Sequence, residues 1–177
     1  GIPKGVVNII TGFADTCSKL LTSHPKINKI AFTGGVHTAK HIVRNSAENL
    51  SQISLELGGK SPVVVFKDAR KNNAINGIMA SIFGAGGQSC IAGSRLYLQE
   101  EIYDEYLEEL KNRVEEIEIG DPLSTTTQLG PLATLNQLQN IEEKIKQTKK
   151  LGGKIITGGK KVSEFKNGYY FEPTIIE

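Results

Sequence analysis

Short apolar runs closed by glycine, each followed by a stretch with helical spacing, recur along the chain, and this alternation constrains its fold more than any other feature. Residues 6–10 form an apolar run ending in Thr11-Gly12 that suits a buried strand, and residues 15–22 follow as a capped, helix-like segment. Residues 29–32 predict a strand that runs into Thr33-Gly34-Gly35, ahead of a helix over residues 38–45. Two more strands are predicted at 54–57 and 63–66, with Gly58-Gly59-Lys60-Ser61-Pro62 between them. Two glycines and a proline there preclude one continuous element and suit a domain junction. A helix over 69–83 leads into Gly84-Ala85-Gly86-Gly87, and residues 95–99 alternate as a strand should. Residues 102–119 predict an amphipathic helix with Tyr103, Tyr106, Leu107, Leu110, Val114 and Ile117 on one side and Glu109 and Arg113 spaced for an ion pair. A last helix over 135–151 precedes a short strand at 154–157. Strand and helix alternating in this way predict an α/β fold with a mostly parallel sheet.

Bulk properties exclude several classes of function. A formal net charge of +2 from 21 Lys and Arg against 19 Asp and Glu gives no electrostatic case for nucleic acid or a membrane surface. The cluster Lys146, Lys149, Lys150, Lys154 is simplest as a solvated helix face and loop. No apolar run approaches the roughly 18 residues of a membrane helix. Two cysteines without a C-x-x-C pair, and no His at metal-ligand spacing, support neither a disulfide framework nor a zinc site, and no metal is expected. A small-molecule partner and a reducing, cytoplasmic setting are the expectation. The start at Gly1-Ile2-Pro3 without Met, and the stop at Ile176-Glu177 after an apolar stretch, lead us to expect truncation at both ends. Edges left open in that way favour self-association.

Two residues stand out chemically. Cys90 lies in Gly86-Gly87-Gln88-Ser89-Cys90-Ile91-Ala92-Gly93-Ser94, where glycines let backbone amides and a substrate approach the sulfur, which is nucleophilic as its thiolate. A buried packing cysteine is the competing reading, and the local sequence leaves both open. Glu56, in Leu55-Glu56-Leu57 ahead of a double glycine, fits a carboxylate partly withdrawn from water and acting as a general base. It equally fits an outward-facing residue on a half-exposed strand. His24, His37 and His41 carry no mark of a catalytic base, and Cys17 reads as a small packing residue.

Taken together, these segments resemble the aldehyde dehydrogenase superfamily. Leu55-Glu56-Leu57-Gly58-Gly59-Lys60-Ser61-Pro62 looks like its glutamate signature, and Gly87-Gln88-Ser89-Cys90 with Ala92-Gly93-Ser94-Arg95 looks like its cysteine signature. Their separation, 90 − 56 = 34 positions, is that of the family. Further similarity runs through Pro3-Lys4-Gly5-Val6-Val7-Asn8, Ala31-Phe32-Thr33-Gly34-Gly35, Gly120-Asp121-Pro122-Leu123, Leu129-Gly130-Pro131-Leu132 and Phe171-Glu172-Pro173-Thr174.

The resemblance implies NAD(P)-dependent oxidation of an aldehyde to a carboxylic acid, with Cys90 as nucleophile and Glu56 activating the hydrolytic water. It implies that Thr33, Gly34 and Gly35 deliver the pyrophosphate of NAD or NADP to a helix N-terminus, and that Leu57 makes a backbone contact near the nicotinamide. Three positions depart from the pattern: Gly35 where Ser is usual, Ala39 where a second Gly is common, and Ala85 where many members carry Asn. Residues 1–58 are then expected to be the C-terminal part of a Rossmann-like NAD(P)-binding domain, and 59–177 the N-terminal part of the catalytic domain. The full-length enzyme is expected to be a homo-oligomer, dimer or tetramer, and the isolated piece to bind cofactor poorly. Two other readings stay open: a cysteine hydrolase or thioesterase pairing Cys90 with a histidine and needing no dinucleotide, and a folded piece without turnover.

Overall fold

The computed structural model describes residues 1–177, which divide into two compact units, Gly1–Gly58 and Gly59–Glu177. In the first unit a π-helical turn, Ala14–Ser18, continues into a short helix α1, Lys19–Ser23. Strand β1, Lys29–Gly34, helix α2, Val36–Ser46, and strand β2, Gln52–Leu57, complete it. β1 and β2 pair in parallel from Lys29↔Gln52 to Gly34↔Leu57. The crossover between them is α2, as parallel pairing requires. Ala39 and Ile42 are its buried contacts, and Asn45 donates to Thr22 Oγ1 at 3.0 Å to tie α2 to α1. Asn49 donates to the carbonyl of His24 at 2.8 Å, and Ser51 to that of Ile27 at 3.0 Å, so the return into β2 is held by side chain to backbone bonds.

The strand expected at residues 6–10 does not form. Val6, Val7, Ile9 and Ile10 are all exposed, and the segment has no strand neighbour. An apolar run becomes a strand only where another strand takes its backbone hydrogen bonds, and β1 and β2 pair with each other alone.

The second unit opens with β3, Pro62–Val65, then α3, Lys71–Phe83, and β4, Arg95–Leu98, which pairs with β3 in parallel. α4, Tyr103–Glu115, α5, Leu135–Lys150, β5, Ile155–Thr157, and β6, Ile175–Ile176, follow, the last two strands antiparallel. Val65, Ile75, Ile78, Tyr106 and Leu110 form the core, where α3 and α4 pack over the β3 and β4 pair with Val63, Leu96 and Leu98 against them. Burial of that order contributes roughly 1.5–3 kcal/mol per large side chain. The expected ion pair is present, with Arg113 Nε 3.5 Å from Glu109 Oε1. α4 stops at Glu115, short of the residue 119 its apolar pattern predicts, because Gly120 donates to the Leu129 carbonyl and Leu129 to the Glu118 carbonyl, drawing this stretch into an extended bridge. Thr134 caps α5 by accepting from the Gln137 N–H at 3.2 Å. Tyr103 donates to Glu177 Oε1 at 2.8 Å and Lys154 to Glu177 Oε2 at 3.0 Å. The Tyr103 hydroxyl, then Lys154, hold the Glu177 carboxyl below the usual carboxylate range. No helix is long and apolar enough to cross a membrane.

Candidate active site

In the first unit the register sets Thr33 beside Glu56 and Gly34 beside Leu57 at the C-terminal ends of β1 and β2. Partners in a parallel ladder share a face, so the Glu56 carboxylate and the Thr33 hydroxyl leave the sheet side by side. Both residues are exposed. The partial withdrawal of Glu56 from water expected from its apolar neighbours is therefore not supplied within this unit.

The chain turns from β1 into α2 through Gly34-Gly35. A Cβ on Gly34 would lie 2.6 Å from Phe32 Cζ, so a side chain there would force the half-buried ring to shift. A Cβ on Gly35 would meet nothing within 4 Å, so the turn has room for a side chain there. Gly35 is the N-cap of α2, extended at φ −79°, ψ 148°, and no side chain caps the helix. The first-turn N–H groups of α2 are thus free to meet an anion, aided by the helix dipole. A groove of about 430 Å³ runs between α2 and β2, lined among others by Val36, Lys40, Arg44, Leu55 and Leu57.

In the second unit Cys90 is exposed, contrary to the reading of a buried packing thiol. The loop before it is built from three consecutive left-handed residues, Ala85 at φ 51°, Gly86 at 61° and Gly87 at 70°. Glycine and Asn adopt this region at lower cost than Ala, so Ala85 holds its conformation under strain. A Cβ on Gly87 would sit 3.1 Å from the Ile82 carbonyl, so α3 itself enforces that glycine. Ala92 N–H donates to the Ser89 carbonyl at 3.2 Å, closing a turn with Cys90 and Ile91 at its tip. The Cys90 N–H donates to no protein acceptor and stays available to an oxyanion.

Behind the turn the loop is pinned. Gly93 N–H donates to the Ser81 carbonyl at 3.0 Å, and a Cβ there would lie 2.5 Å from both Ser81 Oγ and Val63 Cγ2. Arg95 Nε donates to the Lys60 carbonyl at 2.9 Å while its N–H donates to that of Ser61 at 3.2 Å. Residues 59–61 are so drawn up to the start of β4, with the Cβ position of Gly59 3.8 Å from the Cys90 carbonyl. Sequence reading placed Gly93 and Arg95 in a motif without a role. Only the close packing and the carbonyl contacts reveal them as supports of the cysteine turn. No three His, Cys, Asp or Glu side chains are grouped to hold a metal.

The family model described as the aldehyde dehydrogenase family matches residues 1–177. Among curated relatives, (Z)-2-((N-methylformamido)methylene)-5-hydroxybutyrolactone dehydrogenase of Acinetobacter baylyi is 52% identical over 177 residues, covering 100% of this chain and 36% of its own length. 4-Trimethylaminobutyraldehyde dehydrogenase A of Danio rerio is 38% identical over 181 residues, again 100% of this chain and 35% of its own. The chain thus spans about a third of the length of these relatives. Among solved structures, PnpE from Pseudomonas sp. WBC-3 superposes with a TM-score of 0.95 at 42% identity, over 99% of this chain and 37% of that one. Betaine aldehyde dehydrogenase of Staphylococcus aureus in complex with NAD+ gives 0.96 at 36% identity, over 99% and 35%.

Proposed function

The chain belongs to the aldehyde dehydrogenase family, and from that premise we propose that it carries the nucleophile and the water-activating base for NAD(P)-dependent oxidation of an aldehyde to a carboxylic acid. The observation that carries this reading is the pair of motifs around Glu56 and Cys90, combined with an accessible thiol on a turn whose N–H is free.

In this reading the Cys90 thiolate adds to the carbonyl carbon, forming a C–S bond and moving the π pair onto oxygen. The Cys90 N–H donates to that oxyanion. Bound dinucleotide supplies the hydride acceptor. Once hydride has left, the carbonyl re-forms as a thioester on Cys90. Glu56 then takes a proton from water as the oxygen attacks the acyl carbon, and the C–S bond breaks to return the thiolate and release the acid.

The first turn of α2 fits the dinucleotide: its N–H groups are uncapped, Gly35 leaves space above them, and Thr33 presents a hydroxyl beside the turn. Leu57, paired with Gly34, would offer backbone to the nicotinamide end. NAD-bound neighbours such as the betaine aldehyde dehydrogenase complex support that assignment. Gly1–Gly58 is then the closing part of the NAD(P)-binding domain and Gly59–Glu177 the opening part of the catalytic domain. A homo-oligomer in the cytoplasm completes the proposal, with two free cysteines suiting a reducing compartment. The test is reduced-nicotinamide formation by the protein across a panel of aldehydes, with Cys90→Ser alongside. Loss of activity in that variant is expected, and thioester hydrolysis without dinucleotide would instead favour a hydrolase.

A further inference from the structure

We propose that His37 and His41 form a bidentate site for a late divalent transition metal, Cu2+ above all, on α2. The two residues stand four apart on one face of the helix, both exposed, with ring centroids 4.7 Å apart and planes at 65°. Metal to imidazole nitrogen bonds run about 2.0–2.1 Å, and adding roughly 1.1 Å from nitrogen to ring centre puts each centre about 3.2 Å from a shared ion. A bite angle of about 90–95° then separates the centres by about 4.5–4.7 Å, whereas a tetrahedral angle needs about 5.2 Å. The observed spacing of 4.7 Å keeps both rings within reach of one ion once they turn toward it, and Cu2+ leads the affinity order for imidazole ligands.

The hydrogen bonds that fasten α2 to α1 use Asn45 and Asn49 and leave both imidazoles out. Turning the two exposed rings about their own side-chain torsions aims a nitrogen of each at the ion without moving the backbone. No third protein ligand joins them, so water completes the coordination. Lys40 and Arg44 on the same helix, and the partial positive charge at its N-terminus, oppose a cation and keep the binding reversible. A chelated ion would clip one turn of α2 to the next directly after Gly34-Gly35. Sequence reading led to the expectation of no metal, with no His at metal-ligand spacing; helix Val36–Ser46 sets His37 and His41 one turn apart.

The experiment is a calorimetric and electron paramagnetic resonance titration of the chain with Cu2+, in a Cys17→Ser/Cys90→Ser background that removes competing thiols. One equivalent bound, hyperfine coupling to two imidazole nitrogens, and a Tm raised by about 5 °C at saturation are expected. His37→Ala and His41→Ala should each weaken binding about a hundredfold through loss of the second, intramolecular contact, with far-UV circular dichroism unchanged. Mg2+, which prefers oxygen ligands, should not bind there. Absence of Cu2+ binding, a spectrum with one imidazole, or an affinity indifferent to either substitution would overturn the proposal. None of these readouts involves aldehyde oxidation, so the outcome is independent of the catalytic reading.

Discussion

Thr33 and Glu56 are register partners at the matched C-terminal ends of two parallel strands, so a hydroxyl and a carboxylate far apart in the chain emerge side by side from one sheet. One residue further on, Gly34 and Leu57 pair in the same way. Parallel pairing makes the placement rigid: a slip of one residue would turn Glu56 to the opposite face. If Glu56 is the base, Glu56→Gln should still acylate Cys90 and release one equivalent of reduced nicotinamide in a burst, then stall. Because Glu56 is exposed, its stability should change by no more than about 0.5 kcal/mol. Full steady-state turnover in this variant would remove Glu56 from the mechanism.

The two glycines of the turn into α2 should respond oppositely. Gly34→Ala forces a methyl to within 2.6 Å of the Phe32 ring and should cost about 1–3 kcal/mol. Gly35→Ser meets open space at an N-cap and should stabilise by a few tenths of a kcal/mol. Urea unfolding of the two variants beside the parent measures both, and equal destabilisation would mean that the turn is misdescribed.

At the cysteine turn, Ala85 holds a left-handed conformation at φ 51°. Ala85→Asn or Ala85→Gly should relieve about 1 kcal/mol of backbone strain. Gly93→Ala acts in the opposite sense, since its methyl meets Ser81 and Val63, and should cost about 1–3 kcal/mol. The same substitution should alter the alkylation rate of Cys90 by iodoacetamide relative to Cys17, which serves as an internal reference.

In the core, Ile75 is 1% exposed and packs in the cluster with Val65, Ile78, Tyr106 and Leu110. Ile75→Ala should lower the unfolding free energy by about 2–5 kcal/mol through lost transfer energy and a residual cavity. A loss below 1 kcal/mol in equilibrium denaturation would show that this helix face is not buried as described.

Glu177 ties α4 to the β5 end of its unit through Tyr103 and Lys154. With its carboxyl held below the usual range by the Tyr103 hydroxyl first and Lys154 second, it binds fewer protons folded than unfolded over the acid range. Its contribution to stability is therefore present above the ordinary carboxylate pKa and lost as the pH falls through the folded value. Tyr103→Phe should flatten that acid dependence of the urea midpoint by removing the same contribution at neutral pH, a small one because Glu177 is exposed.

What the chain wrote locally was legible without a structure. α2, α3, α4 and α5 follow apolar positions recurring every three to four residues, and α3 and α5 end just before glycine, because hydrogen bonds between near neighbours decide them. Cys90 and Glu56 stood out locally by the glycines around them, but the local sequence left their roles open, and the resemblance of the two motifs to the family supplied them. Tertiary structure decided everything that depends on a distant partner. Residues 6–10 carry a strand-like pattern yet stay exposed because no strand receives their hydrogen bonds. α4 ends early because Leu129 draws Glu118 and Gly120 into a bridge. The Thr33 and Glu56 pairing, the exposure of the Cys90 turn, and the grip of Ser81, Val63 and Arg95 on that loop arise from contacts between segments many residues apart, which no local pattern encodes.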